Sequence, residues 1–171
     1  MKTSALNTNE YHTYYAPYIN GLGEVDLLEK LKMGLENFPQ FMGSIPEDKL
    51  SYTYEEGKWT IAEILMHLID AERVFQYRAL RFGRGDETPL NGFDQDVFVP
   101  TSNANNRTLE SIIAEFKAVR AATITLFDSF DDTVLKQQGT ASDAKISVAA
   151  IGFIICGHQK HHKRLIKERY L

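Results

Sequence analysis

The chain has 171 residues and a mass of 19.5 kDa, a length that supports one domain without disulfide bonds. Apolar residues make up 43% of the sequence and charged residues 25%, which argues against a disordered, collagen-like or coiled-coil chain. The net charge of −4 makes nucleic acid an unfavourable partner, and a single cysteine excludes both an internal disulfide and a Cys-rich zinc site.

The beginning of the chain lacks the apolar core of a signal peptide. The most apolar run, residues 148–156, has about half the length that is needed to cross a bilayer. We therefore expect a soluble, cytoplasmic protein without a membrane partner. Residues 1–21 are polar and rich in tyrosine and are expected to form an N-terminal arm, followed by one domain at residues 22–171.

Two helices are predicted in the first half of the domain. Apolar residues recur at steps of three and four over residues 25–42 and predict the first helix, which Pro39 is expected to kink or shorten. The second helix is predicted to begin at residue 59 or 60, with Thr60 as its N-cap and Glu63 completing a capping box. Gly83 is expected to end it.

The second half of the domain contains a long connection and two further helices. Residues 86–106 show no helical period, and a connection of this length is often functional and allows a crossover between non-adjacent bundle positions. The third helix is predicted at residues 109–130, a loop at 131–143, and the fourth helix from Ser147 to about Tyr170. Since no segment shows a convincing strand pattern, the predicted fold is all-α: an antiparallel four-helix bundle with one long crossover connection.

Two histidines occupy core positions of the fourth predicted helix. Five residues share one stripe about 80° wide: Ile151, Ile155, His158, His162 and Leu165. Burying an imidazole without partners costs on the order of 1–3 kcal/mol, so two successive ones need an explanation. Residues four apart lie about 5–6 Å apart at Cβ, which allows both rings to bind one divalent ion.

His67 is the candidate third ligand, because it lies inside the second helix among apolar residues and bundle ligands come from facing helices. Three histidines with open positions for water or substrate are typical of a catalytic metal site. Neutral imidazoles leave the ion its full charge, which would acidify a bound water. Two other interpretations stay open: a helical His pair is more often a surface feature, and a lone buried histidine is often a satisfied core residue.

Several acidic residues near these positions have two interpretations each. Glu63 is a candidate to accept the free ring N–H of His67, or it serves only as the capping residue. Asp70 and Glu72 are candidate ligands or bases, although solvated helix charges, or partners for Arg73 and Lys58, are the commoner case. We name Glu63 and Asp70 as the candidate catalytic residues.

Five residues complete the set of candidates. Asp94 and Asp96 lie in the long connection and could reach the mouth of a metal site, or act as turn residues. Trp59 is a candidate pocket wall or a hydrophobic clamp at the helix start. Cys156 lies about 160° around the helix from His158, points away from the proposed ligands and is expected to be a packed small residue. His161 lies about 80° from the centre of the stripe and is expected outside the ligand set.

Two segments resemble the DinB-like (DinB/YfiT) family of metal-binding proteins. They are Trp59-Thr-Ile-Ala-Glu-Ile-Leu-Met-His67-Leu-Ile-Asp-Ala-Glu72 and Gly157-His158-Gln-Lys-His161-His162. The segments at residues 93–96 and 102–109 are similar to the same subgroup, and the resemblance covers about residues 22–171.

The resemblance implies an antiparallel four-helix bundle with one crossover, commonly a homodimer, and a divalent ion held by three histidines, here His67, His158 and His162. The ion is typically nickel or zinc, and in some members iron or manganese. Related members are thiol-dependent S-transferases that use bacillithiol or mycothiol, maleylpyruvate isomerases or hydrolases, and many have no known reaction. A small residue and Gln often follow the double histidine in the family, whereas Lys163 and Arg164 follow it here, so the choice of thiol does not carry over.

The leading hypothesis is a metal-dependent enzyme that transfers a low-molecular-weight thiol to an electrophilic small molecule. One alternative is hydrolysis by metal-activated water at the same three histidines. A second alternative is a non-enzymatic, stress-related metal-binding bundle, so that enzymatic activity itself is left open. A DNA-binding protein is disfavoured, because the only basic cluster lies at one helix end, at residues 160–169, and the net charge opposes it.

Overall fold

The computed structural model describes residues 1–171 and is mostly helical. Short 3₁₀ turns precede the first helix and occur in the connections. The remaining elements, in chain order, are α1 (Ala16–Asn20), α2 (Leu27–Gly43), α3 (Ile61–Gly83), α4 (Gln95–Thr101), α5 (Leu109–Asp128), α6 (Asp132–Leu135), β1 (Gln138–Ala141), β2 (Ala144–Ser147) and α7 (Val148–Arg169). None of the helices combines the length and the apolar character that a membrane span needs.

The four long helices α2, α3, α5 and α7 are the four that the sequence predicts, and their caps explain where two of them begin. The Thr60 hydroxyl accepts the Glu63 N–H at 3.1 Å, while the Glu63 carboxylate accepts the Thr60 N–H at 2.8 Å, which completes the predicted capping box. The Ser147 hydroxyl accepts the Ala150 N–H at 3.0 Å at the start of α7. Pro39 lies inside α2, which continues to Gly43 instead of ending early.

The long helices form a bundle in which each packs against two others. Helix α2 contacts α5 and α7, and α3 contacts the same two helices. The ring of Phe38 in α2 lies 5.0 Å from that of Phe116 in α5, and the Arg120 side chain lies beside Gly34, so these helices are antiparallel. Helices α3 and α7 are also antiparallel, because Trp59, next to the start of α3, accepts a hydrogen bond from Tyr170 at the end of α7.

The other two contacting pairs are parallel. Met66 contacts Arg107 near the start of α5 and Glu72 contacts Arg120 further along, so α3 and α5 run in the same direction. Parallel neighbours need a connection that returns along the whole bundle, and the segment between Gly83 and Leu109 makes that return. The predicted all-α bundle with one long crossover is therefore confirmed, but the crossover joins neighbouring helices rather than non-adjacent positions.

A β-hairpin, formed by β1 and β2, occupies much of the region where the sequence analysis expected a loop without strands. The strands pair antiparallel from Gln138 opposite Ser147 to Ala141 opposite Ala144. Ser142 and Asp143 form the two-residue turn with φ values of 51° and 60°, which is the backbone of a tight hairpin turn. The signal was missed because each strand has four residues and the Ser-Asp turn lacks the usual glycine.

The core consists of two apolar clusters that are separated along the bundle by a polar layer. The members of the first cluster in α3 run from Ala71 to Phe82, and those of the second run from Ile61 to Ile69. In α7 the first cluster ends at Cys156, and the buried part of the second begins again at Ile166. The histidines of α7 occupy the interval between them, so the packing places polar groups at the middle of the bundle.

Residues 1–21, which we expected to form an arm, lie against the bundle. The Met1 ammonium group forms an ion pair of 3.0 Å with Asp26, and α1 packs against α7. The approach is close, because a Cβ atom at Gly157 would lie 2.2 Å from the Tyr18 carbonyl oxygen. Glycine at this position therefore allows the N-terminal segment to contact the part of α7 that carries the histidines.

Candidate metal centre

Three histidine side chains from two antiparallel helices meet in the polar layer. His158 Nε2 lies 3.0 Å from His67 Nε2 and 3.0 Å from His162 Nε2. The ligand atoms of the three residues all lie within 4.8 Å of one another. One turn of α7 separates His158 from His162, and α3 supplies His67 from the opposite side. The structure thus brings together the three histidines that the sequence analysis singled out.

Burial favours the neutral form of all three imidazoles. His67 and His162 are only 4% and 8% exposed. Desolvation lowers the pKa of His67 to about 4 and that of His162 to about 3, and it holds the pKa of His158 well below the usual range. The neighbouring imidazoles add to the lowering at His158 and His162. Neutral imidazole is the form that coordinates a metal.

The donor set fits a divalent cation better than it fits a hydrogen-bonded cluster. A neutral imidazole nitrogen carries either one in-plane proton or one in-plane lone pair. His158 Nε2 therefore cannot form separate hydrogen bonds of full strength with both neighbours. Three lone pairs directed at one ion would remove that conflict, so these three residues would hold a divalent cation.

The histidines lie in the wall of a pocket of about 550 Å³, a volume within the range of small-molecule sites. The N-terminal segment, α3, the crossover, the hairpin turn and α7 all contribute to its lining. Its residues are Tyr14, Tyr15, Tyr18, Trp59, His67, Ala71, Phe75, Arg78, Phe93, Asp94, Gln95, Asp96, Ser142, Ile154, His158, His161 and His162.

The N-terminal tyrosines are pocket residues that the sequence analysis did not identify. The Tyr18 ring packs edge-on against those of His158 and His161, with centroid distances of 5.5 and 5.4 Å. Burial, with smaller contributions from the neighbouring tyrosines, raises the pKa of Tyr18 to about 12. Glycine at position 157 was the available signal, since a missing side chain on a buried helix face marks a close approach.

The candidate catalytic residues Glu63 and Asp70 do not contact the histidines by hydrogen bonds. The Glu63 carboxylate accepts the Thr60 N–H and the Asn105 side-chain amide, which is the capping arrangement. Asp70 accepts a hydrogen bond from Arg73 at 3.4 Å, and burial raises the pKa of its carboxyl group. Neither residue belongs to the lining of the pocket.

Two other acidic candidates, Asp94 and Asp96, do line the pocket, and both are exposed. Asp94 also caps α4 by accepting the Asp96 N–H at 2.9 Å, so it combines the two interpretations that the sequence left open. Glu72 is instead buried, and its carboxylate accepts two hydrogen bonds from Arg120, at 2.7 and 2.8 Å. The expected pairing of Glu72 with nearby basic residues is wrong, because its side chain faces the bundle interior.

The remaining candidates lie around the same centre. The Trp59 ring lies 4.9 Å from that of His67 and forms part of the pocket wall. His161 packs against His162 at 5.0 Å and also lines the pocket, outside the cluster of three. Cys156 is buried, and desolvation raises the pKa of its thiol to about 12, so it is a packed and unreactive residue.

The fold and the site together define a helical bundle in which a cluster of three histidines lines a pocket. The model of the DinB superfamily matches residues 30–166, and the chain therefore belongs to this family. The family resemblance that the sequence suggested is confirmed.

Two curated relatives cover most of the chain. One is "Putative metal-dependent hydrolase OB0413" from Oceanobacillus iheyensis, 27% identical over 148 residues, which span 83% of this chain and 84% of the relative. The other is "Putative metal-dependent hydrolase" from Geobacillus thermodenitrificans, 20% identical over 124 residues, which span 71% and 69%.

Two solved structures share the fold. YfiT from Bacillus subtilis, a four-helix bundle of unusual topology, superposes with a TM-score of 0.72 at 17% identity and covers 95% of this chain and 90% of its own. A mycothiol-dependent maleylpyruvate isomerase superposes with a TM-score of 0.67 at 10% identity, over 82% of this chain and 60% of its own. At these identities the similarity establishes the architecture alone.

Proposed function

We propose that the protein binds a divalent metal ion through His67, His158 and His162 and uses it to act on a small molecule in the adjoining pocket. The observation that carries this proposal is the convergence of three neutral imidazoles at a pocket of about 550 Å³. No aspartate, glutamate or cysteine joins the cluster as a fourth ligand. An open coordination position beside a pocket is typical of a catalytic centre rather than of a structural one.

A divalent ion at this position would supply Lewis acidity, which lowers the pKa of a nucleophile that it coordinates. The residues of the chain have separate roles around it. The three imidazoles hold the ion without adding negative charge. Trp59, Tyr18 and Phe75 contribute the aromatic walls, which exclude water and position an apolar substrate. Cys156 is buried and has a raised pKa, so any thiol that reacts must arrive as a cosubstrate.

The first candidate reaction is the transfer of a low-molecular-weight thiol to an electrophilic carbon. Its support is the family resemblance, together with the fold shared with an isomerase that depends on mycothiol. The family resemblance makes nickel or zinc the expected metal and iron or manganese the next choice. Imidazole ligands suit nickel, zinc and iron, whereas manganese prefers oxygen ligands and rests on the resemblance alone.

The second candidate reaction is hydrolysis at the same three histidines. It is supported by the two curated relatives, both of which carry the name "Putative metal-dependent hydrolase" and match this chain over more than two thirds of their length. The two reactions differ only in the nucleophile. Solvent oxygen enters the product of hydrolysis, whereas thiol transfer yields a thioether, so mass spectrometry of the product in ¹⁸O-water distinguishes them.

The metal site is tested with untagged protein by metal analysis and by activity before and after chelation. We expect stoichiometric metal in the wild type and its loss in His67→Ala and His162→Ala. His161→Ala is the matched control, since it removes a pocket imidazole outside the cluster and should retain metal. Stoichiometric metal in both ligand variants, or turnover that chelation leaves unchanged, would contradict the proposal.

A non-enzymatic, stress-related metal-binding bundle is the remaining alternative, and it predicts metal binding without turnover. It is less well supported, because a structural site is normally closed by a fourth protein ligand. The family resemblance also favours a homodimer. Light scattering of the purified protein tests the homodimer.

A further inference from the structure

Arg78 is a buried cation in the wall of the pocket. Arg78 lies on α3, belongs to the residues that line the pocket and is only 2% exposed. The guanidinium Nη2 donates to the Asn91 carbonyl oxygen at 3.1 Å and to the Ser142 hydroxyl at 2.9 Å. The Cζ atom of Arg78 lies 5.7 Å from the centre of the Phe75 ring. All of these partners are neutral.

Arg120, the other buried arginine, has the negatively charged partner that a buried arginine normally requires. Arg120 is 1% exposed, and Glu72 binds it through two hydrogen bonds. No aspartate or glutamate forms an ion pair with Arg78, although five other arginines of the chain have such partners. A buried charge without a counter-ion is strongly unfavourable. The positive charge of Arg78 therefore has no counter-ion within the protein, and an anion in the pocket would provide one.

The position of Arg78 relative to the histidines defines the length of such a ligand. Arg78 follows His67 by eleven residues, so their Cα atoms are about 16 Å apart on the same face of α3. Ala71 and Phe75 lie between them in the pocket wall. Since helical side chains lean toward the N-terminus, the guanidinium approaches the histidines more closely than its Cα does.

We infer that Arg78 binds a carboxylate group at one end of the substrate. An apolar segment separates this carboxylate from the reacting atom of the substrate, which lies at the histidines. This inference specifies the substrate class of the proposed function and rests on it for the identity of the reactive end. Arginine suits a carboxylate because its planar donors match the two oxygens. Asp94 and Asp96 line the same pocket, but they are exposed, so solvent screens their repulsion of an anion.

A purely structural role for Arg78 accounts for less of what is observed. The side chain does connect α3 to the crossover at Asn91 and to the hairpin turn at Ser142. A neutral donor could make both hydrogen bonds without the cost of burying a charge. The two roles can be distinguished, because only a ligand-binding role makes the pocket prefer an anionic ligand to a neutral one.

The test measures binding of 3-phenylpropionate and of its neutral analogue 3-phenylpropionamide to metal-free protein, so that no ion competes for the carboxylate. Trp59 is the only tryptophan and lines the pocket, so its fluorescence reports occupancy. We expect the acid to bind at least about tenfold more tightly than the amide, because hydrogen bonds to charged groups are the stronger ones. Arg78→Gln should reduce this preference to about twofold or less.

Arg84→Gln is the matched control, because it removes the same charge from an exposed residue outside the pocket and should leave the preference intact. Arg78→Lys keeps the charge without the planar donors and should show a weaker preference for the acid, which keeps the test decisive if Arg78→Gln does not fold. Equal binding of acid and amide by the wild type, or an undiminished preference in Arg78→Gln, would overturn the inference. Metal analysis of the histidine variants is independent of this result, so failure of the metal site and failure of anion binding are distinguishable.

Discussion

At the scale of single residues, the polar layer contains a buried ion pair between Glu72 and Arg120, in which two charges are removed from solvent. Both side chains are nearly inaccessible, at 4% and 1% exposure. Arg120 Nη1 and Gln159 Oε1 have no protein partner, and both residues border a cavity of about 10 Å³ that also touches His158. A volume of this size holds about one water molecule. The interior next to His158 is thus polar, and it has room for about one water molecule.

Replacing Glu72 by Gln should destabilise the protein severely, because it leaves the Arg120 charge buried without a counter-ion. The expected loss in the free energy of unfolding is about 3–5 kcal/mol. Arg73→Gln provides the control: its pairing with Glu115 is solvent-accessible and is worth about 1 kcal/mol at most. Urea denaturation measures both changes, and a Glu72→Gln variant as stable as the control would contradict this account.

At the scale of elements, the hairpin is fixed in place by one close contact with α3. A Cβ atom at Gly139 would lie 2.1 Å from the ring of Phe82, which is itself 1% exposed. The strand can therefore approach the helix only where it has no side chain. The parallel bridge between Leu90 and Ala141 then adds the crossover to the same assembly.

Gly139→Ala should destabilise the protein by about 1–3 kcal/mol, since the new methyl group overlaps a ring that cannot move into solvent. Gly43→Ala is the matched substitution, because nothing lies within 4 Å of its added Cβ and its φ is negative. It should be neutral or slightly stabilising. Thermal unfolding of the two variants compares them, and equal midpoints would show that the Phe82 contact is not limiting.

The helices could be predicted from sequence because their signals are local. Periodic apolar residues and the caps at Thr60 and Ser147 specify α3 and α7 closely. The same periodicity located His158 and His162, since polar residues in an apolar stripe stand out. His67 was inferred from its place among apolar residues inside the facing helix. The partners of Glu72 and Arg78 could not be predicted, because each depends on contacts between segments that are far apart in the chain.

At the scale of the whole molecule, the proposed ion would connect the antiparallel helices α3 and α7 where the apolar core is interrupted. His67 belongs to α3, and the other two ligands belong to α7. Binding at this position favours the folded chain, because the unfolded chain does not hold the three imidazoles together. A bound metal would therefore take the place of apolar packing in the middle of the bundle.

Chelation should lower the melting temperature of the wild-type protein. At a free metal concentration about 100-fold above the Kd, the ion contributes about 2.7 kcal/mol to stability. Differential scanning calorimetry with and without added metal should show this shift in the wild type and in His161→Ala, and no shift in His67→Ala. A melting temperature that is insensitive to metal in the wild type would argue against a bridging ion.

The pocket as a whole was the least predictable feature, because it forms only after the chain has closed on itself. The two predicted ligand helices supply its base, whereas tyrosines 14, 15 and 18 come from the N-terminal segment and Ser142 from the hairpin turn. None of these residues carries a sequence pattern that relates it to the histidines. Their proximity results from the packing of α1 on α7 and of the crossover on the hairpin.

The histidines and much of the pocket wall come from different segments of the chain, so the two can change independently. The proposed ion-binding residues lie on two long helices whose packing is constrained by the core. Much of the pocket wall comes instead from the N-terminal segment, the crossover and the hairpin turn. Connecting segments accept substitutions and insertions far more readily than buried helices do. Evolution can therefore exchange the walls and retain the reactive centre, which gives one bundle a route to many substrates.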